Sequence, residues 1–443
     1  MDLAFAWKPE RDAQRVLDAW YAEVLGRSGY LRALEERMRV ETGTRLFDWL
    51  DCLLVPDGEV ERLVEVGFEL DRYGGWRHPG AVFPRVVTRE VLGCRSEWGA
   101  QLKVDACVDF AAVHGVHGTI QGKPWAPVRR LVVTEQRDFY LSVVERHGSR
   151  AMEVLEVGDQ YSVLYQEMLE YVSTRRRNYE DMDQAFAMLE YMLKRLVGGL
   201  GQAVAADCFF RAERKYWMGR NRVARMQYER QGGLGLGWAN HDHHTYRSSR
   251  RSFSSLVGVL EMLGLQCRER FYAGAGAGWG AQVLESGEAG IVVFADVDMS
   301  AEEVRGDFSH QGLGEKDGLG TVGMWCALHG ESLFQAGMHH LECQFDFEAL
   351  ARGLEEAGVK LMRPFSDLPY LKQQFTQGEW WRVEPERLHA LLGKGLSAAE
   401  AREFEKNGAL GSHLENLERR DGYKGFNQEG INQVIAETDP RIQ

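Results

Sequence analysis

The sequence predicts an α+β protein in which strand, helix and further strands recur in the C-terminal half, behind a helical block. Three observations predict it. Apolar runs of strand length, bounded by Gly, Pro and charge, fill residues 80–150 and return beyond 238. Helical spacing of apolar residues dominates residues 155–230. Two segments, opening with HDHHTYRSS and MHHLECQF, each run from an extended stretch into an amphipathic helix and back into an extended stretch.

Taken in order, LDAWYAEVL and YLRALEERM place apolar residues three and four apart, which predicts helix within residues 8–40. RLFDWLDCLLVPDGEVERLVEVGFEL reads as a strand, a turn at Pro56-Asp57-Gly58 and a short helix. AVFPRVV, GAQLKVDACVDFAAVHGV, VRRLVV and FYLSVVERHG give residues 80–150 a β-rich texture. In MDQAFAMLEYMLKRLVGGL, Met182, Phe186, Leu189, Leu193 and Leu196 share one helix face, the pattern of core packing. GGLGLG at 232–237 ends the helical block and lacks the Lys-Ser/Thr of a phosphate loop. After HDHHTYRSS come a helix in SFSSLVGVLEMLGL and strands in RERFYAG, GAQVLES and GIVVFADVDM; ALHGES also reads as strand. MHHLECQF, the helix FEALARGLEEAG and VKLMRPF repeat the outline, and residues 380–410 read helical. The expected division is an N-terminal α+β domain over 1–154, a helical connector over 155–234 and a C-terminal domain over 235–443.

With 443 residues and 44% hydrophobic content, the chain can bury several cores. Lys and Arg number 53 against 66 Asp and Glu, a net charge of −13, which argues against nucleic acid or an anionic membrane as the main partner. No apolar run is long enough to span a bilayer, and the N-terminus lacks the apolar core of a signal peptide. The seven cysteines are scattered without a CxxC pair, as expected of reduced thiols in a cytoplasm.

The chemistry concentrates in the two histidine-rich strands. In MHHLECQF the pleat puts His340, Glu342 and Gln344 on one face and Leu341, Cys343 and Phe345 on the other. In the earlier strand His243, Thr245 and Arg247 share a face opposite His244, Tyr246 and Ser248. Imidazoles from two equivalent strands can meet across a cavity, and a carboxylate added to them makes a two-histidine, one-carboxylate face with open positions, a geometry suited to iron(II) oxygen chemistry. His339 falls on the outer face, and His329 and Glu331 in ALHGES share a face as structural residues or pocket liners.

The repeated unit is similar to the βαβββ module of the vicinal oxygen chelate superfamily, and DHHTYRSS looks like its opening strand. HLENLERRDGYKGFNQEGINQVI resembles the end of 4-hydroxyphenylpyruvate dioxygenases and of 2-oxoadipate dioxygenase/decarboxylase (hydroxyglutarate synthase) enzymes. The resemblance implies tandem βαβββ modules forming a C-terminal metal-binding half-open barrel. It makes His243, His340 and Glu415 the ligands, with His244 or His241 as the alternative ligand or as groups that orient it. Arg247 becomes the partner of a substrate anion, and Phe426 and Asn427 a lid before a final helix. Tyr246, Gln282 and Gln344 are candidate substrate contacts. The N-terminal half then resembles a degenerate, metal-free pair of modules, with Cys52 where a histidine would stand.

The function these implications lead to is a mononuclear non-haem Fe(II)-dependent oxygenase acting with O₂ on a small anionic or chelating substrate such as a 2-oxo acid. Mn, Zn, Ni or Co are alternative metals for a redox-neutral, glyoxalase-like isomerase, lyase or hydrolase. A protein that only binds a metal or metabolite is the third class, and self-association is left open.

Overall fold

The computed structural model describes residues 7–427, 430 and 438–442. Two mixed sheets carry the chain. The first contains β1 (Leu50–Leu54), β2 (Glu69–Leu70), β3 (Trp76–Arg77), β4 (Arg85–Val87), β5 (Gly99–Lys103), β6 (Val128–Glu135) and β7 (Tyr140–Arg146), in the order β2-β3-β4-β1-β5-β7-β6. The second contains β8 (His241–Arg247), β9 (Gln266–Tyr272), β10 (Trp279–Ser286), β11 (Ile291–Asp298), β12 (His340–Gln344), β13 (Ser366–Leu368), β14 (Leu371–Phe375), β15 (Glu379–Trp381) and β16 (Ala409–Arg419). Its order is β9-β10-β11-β8-β12-β16-β14-β13, with β15 paired to β16.

Both sheets obey one rule. An opening strand passes into a helix, and the closing strand returns parallel to the opener: β4 beside β1, β7 beside β5, β11 beside β8, β16 beside β12. The two openers of each sheet then pair antiparallel, β1 with β5 and β8 with β12. This is an α+β architecture of tandem βαβββ-type units, as the alternation of strands and helices predicts. Because the openers are neighbours, residues of one parity on β8 and β12 face the same side. Register sets His243 opposite Glu342 and His340 opposite Thr245, and across the next pair Glu342 stands beside Glu415.

Four helices lie between the sheets in sequence: Asp159–Ser173, Met182–Leu200, Gln202–Met218 and Arg222–Gly232. Asp181 caps the second by accepting the Asp183 N–H, and Phe186, Leu189, Leu193 and Leu196 are buried along it. Phe209, Phe210 and Trp217 of the third join Tyr246, Leu341 and Leu414 in the largest core, so the helices cover one face of the second sheet. The other face carries a separate apolar group of Phe271, Trp279, Phe294, Val322, Trp325 and Trp381.

Four local expectations change. CVDFAAVH, read within the β-rich stretch, is a helix, Cys107–His114. ALHGES is the end of a helix, Thr321–His329, because TVGMWCALH packs on several sides and a short apolar run does not fix its own period. VKLMRPF forms no ladder and makes an isolated bridge, Leu361 with Thr376. Residues 380–410 hold two helices, Pro385–Leu391 and Ala398–Asn407, the second closed by a Ser397/Glu400 capping box, but also the end of β15.

Candidate metal centre

The side chains that the pleat brings inward on β8, β12 and β16 meet below the middle of the second sheet. His243, Glu342 and Glu415 are buried, and each offers a ligand atom within 4.8 Å of the others. His243 Nε2 is 2.9 Å from Glu342 Oε1. His340 joins from the same strand as Glu342, its Nε2 against Glu342 Oε1 and 3.8 Å from Glu415 Oε2. Two imidazoles and two carboxylates thus crowd one dry locus. His243, His340 and Glu415 are together there. Glu342 is the fourth donor, placed on the correct face by the pleat but given no role in the sequence.

Neighbouring side chains hold three of the four donors. His243 Nδ1 lies 2.8 Å from Asp242 Oδ2, which leaves Nε2 to face the centre. Asp242 is fixed in turn by Arg419, whose Nε is 2.9 Å from Oδ1 and whose Nη2 is 3.1 Å from Oδ2. Gln373 donates to Glu415 Oε1 at 2.7 Å, leaving Oε2 turned to His340. Thr245 Oγ1 donates to Glu342 Oε1 at 2.9 Å.

The charge balance points to a cation. Burial disfavours a charged His243, but Glu342 and Asp242 outweigh it and lift its pKa to about 9. Burial and the neighbouring Glu342 carboxylate push Glu415 well up, while burial opposes but the two imidazoles prevail in holding Glu342 down. A field that retains a proton on a buried imidazole would accept a divalent ion in its place. Glu342 Oε2 is buried with no hydrogen-bond partner among the described residues, an oxygen open to a metal inside the group. Histidine nitrogens with carboxylate oxygens suit iron, manganese, zinc, nickel or cobalt. The residues fit a metal.

Arg247 lies on the same strand face as His243 and is 1% exposed. Among the described residues its Nε and Nη1 have no hydrogen-bond partner, its guanidinium stands 5.7 Å from the centroid of the Trp325 ring, and its register partner is Asp296. Burial raises Asp296 to about 7, against the pull of Arg247. Phe426 packs edge-on to His243 at 5.2 Å and to Phe294 at 4.4 Å. Asn427 Nδ2 donates to Ser366 Oγ at 3.2 Å. The final helix expected beyond Asn427 falls mainly outside the described residues.

Several candidates fall elsewhere. His244 is on the opposite face, its ring 4.9 Å from Phe210, so β-strand alternation removes it from the donors. A register shift between β8 and β12 turns His241 to that side as well, 5.3 Å from His244. It faces neither His243 nor the metal locus. Tyr246 is 0% exposed in the helix-packed core and touches no substrate space. Gln282 spends its amide on Glu269 O, Val283 O and Ser309, again away from the donors. Gln344 reaches Asp242 at 3.2 Å and supports it. His339 is not on an outer face: it is 1% exposed, between Trp325, His340 and His413. His329 and Glu331 are structural, the first against Leu410 O and the second against Ser248 and Ser249. Among the described residues, neither of the two groups suited to a metal lies in the N-terminal sheet. There Cys52 is buried with Leu54, Val87 and Tyr140.

No protein-family model matches the chain, and no curated protein matches it. Among solved structures it is similar to a proposed hydrolase from Shewanella frigidimarina NCIMB 400, at 14% identity and a TM-score of 0.34 over 53% of this chain and 97% of that one. It is similar to a mutant 4-hydroxymandelate synthase from Streptomyces coelicolor, at 12% identity and 0.31 over 77% and 97%. It is similar too to methylmalonyl-CoA epimerase from Mycobacterium tuberculosis, at 13% identity and 0.23 over 41% and 88%.

Proposed function

We propose that the chain is a metal-dependent enzyme of the vicinal oxygen chelate type, a mononuclear non-haem Fe(II) oxygenase acting with O₂ on a small anionic or chelating substrate such as a 2-oxo acid. One observation carries this reading: His243, His340 and Glu415, from β8, β12 and β16, converge in a buried locus with an unpaired arginine on the same face. Those three residues would hold iron, which would supply Lewis acidity and the redox chemistry. Asp242 keeps the Nδ1 proton of His243 and so presents Nε2 as the donor. Arg247 takes the substrate carboxylate, since a buried guanidinium with free N–H groups gains most from an anion. Phe294 and Phe426 wall the centre and keep water out.

Glu342 favours a second reading. As a fourth ligand it would leave a bound metal less room, enough for a chelating substrate but not for O₂ beside it. The chain would then be a redox-neutral, glyoxalase-like isomerase, lyase or hydrolase. Oxygen uptake by the Fe(II)-loaded protein, measured against a panel of 2-oxo acids and catechols, tests the first reading. Uptake coupled to substrate loss is expected. Turnover that proceeds equally under anaerobic conditions would replace it with the second, and no turnover of any substrate would leave only a binding protein.

A further inference from the structure

A cleft of about 320 Å³ opens between the two sheets, with Asp242 but not His243 on its wall, within the size range of small-molecule sites. Its walls come from β5, β7, the helix Gln202–Met218 and the start of β8. The carboxylates on those walls are largely spoken for. Asp51 is bound by Arg85 and Arg146, Asp242 by Arg419, and Glu285 by Arg268 and Lys424. Three cations are not. Lys103, Arg150 and Arg214 line the cleft, and their side chains make no hydrogen bond or ion pair among the described residues. Arg214 is only 5% exposed, so what remains of its exposure looks onto the cavity.

Unpaired charges in so closed a place are costly. Burial and the neighbouring Arg150 lower the Lys103 pKa, and burial and other cleft arginines lower that of Arg150. His241, which also lines the cleft, has a buried Nε2 without a partner among the described residues. A chain with a net charge of −13 has gathered free positive charge at one enclosed place.

We propose that this cleft is a second anion site, separate from the metal centre, in which Lys103, Arg150 and Arg214 bind a small polyanionic metabolite bearing phosphate or several carboxylates. The anion satisfies the three cations at once through charge-assisted hydrogen bonds. The site does not depend on the oxygenase reading: Asp242, Arg419 and Phe426 border both places, but neither the three cations nor the four metal donors are shared between them.

The test is calorimetric titration of the full chain with inorganic phosphate and, separately, with tricarballylate. At least one probe binds, more weakly as salt is raised. A preference between them identifies phosphate or carboxylate as the recognised group. Arg214→Gln and Lys103→Gln each weaken binding at least about tenfold, whereas Glu415→Gln, which strikes the metal centre, leaves it intact. Without probe, Arg214→Gln melts no lower than the parent chain, since it removes a buried charge that nothing pairs. Failure of both probes to bind overturns the proposal. So does binding that survives Arg214→Gln and disappears in Glu415→Gln, or a marked fall in melting temperature for Arg214→Gln.

Discussion

Asp242→Asn separates the role of the metal donors from that of the group behind them. Asp242 touches no metal position, yet it faces the Nδ1 of His243 at 2.8 Å and takes two contacts from Arg419 at 2.9 and 3.1 Å. An amide keeps the shape but offers one acceptor oxygen for both partners. If the amide nitrogen turns toward His243, the imidazole must shift its proton to Nε2, the atom that faces the centre. Loss of such a backing carboxylate costs roughly 10–100-fold in metal affinity, or about 1.4–2.7 kcal/mol. Arg419 keeps its bonds to Tyr423 O and Gly425 O, so the chain should fold, with a stability loss of about 1.5–3 kcal/mol for a charged hydrogen bond. Competitive titration with a metallochromic chelator measures the first quantity and urea unfolding the second. Metal affinity unchanged within a factor of two or so, in a folded variant, would refute the claim that Asp242 sets the tautomer of a ligand.

Three further outcomes are expected. Arg247→Met should raise KM for a carboxylate substrate by roughly 10–100-fold with a smaller change in kcat, and steady-state kinetics at saturating metal would show it; an unchanged KM removes Arg247 from substrate binding. Burial raises the Glu145 pKa, but the His147 hydrogen bond and charge, together with Arg129, prevail and hold it at about 2 instead of 4.5; its contribution, about 3 kcal/mol, is present above pH 4.5 and lost as pH falls toward 2, so the melting gap between parent and Glu145→Gln should close with acidification, and a gap independent of pH would contradict it. Gly43 sits at φ +65° with a notional Cβ 2.5 Å from Leu350 Cα, so Gly43→Ala should cost about 1–3 kcal/mol in urea unfolding, and a neutral result would mean that the contact yields freely.

What the sequence revealed was mostly what strand alternation controls. His243, Arg247, His340 and Glu342 share a side because period two puts them there, and His244 and Tyr246 are excluded by the same rule. Treating Tyr246 as a substrate contact set that rule aside. The gathering of Glu342, Glu415 and His243 depends on which strands are neighbours and in what register, and neither is written in local sequence. The tail HLENLERR singled out Glu415 by resemblance, but its partner Gln373 comes from β14, a strand hidden in a polar stretch. The burial of His339 was not visible because the tryptophan that covers it, Trp325, lies on a helix whose end, ALHGES, read as strand. The cationic cleft draws residues from both sheets and the intervening helices, so no single segment announced it.

The central claim is that two imidazoles and a carboxylate from three strands hold one metal ion. Elemental analysis of the protein reconstituted with Fe(II) without oxygen tests it directly, comparing the parent chain with His243→Ala, His340→Ala and Glu415→Ala. About one ion per parent chain, and loss of tightly held metal in each folded variant, is the expected result. A parent chain that retains no metal, or a variant that keeps full occupancy, would contradict it.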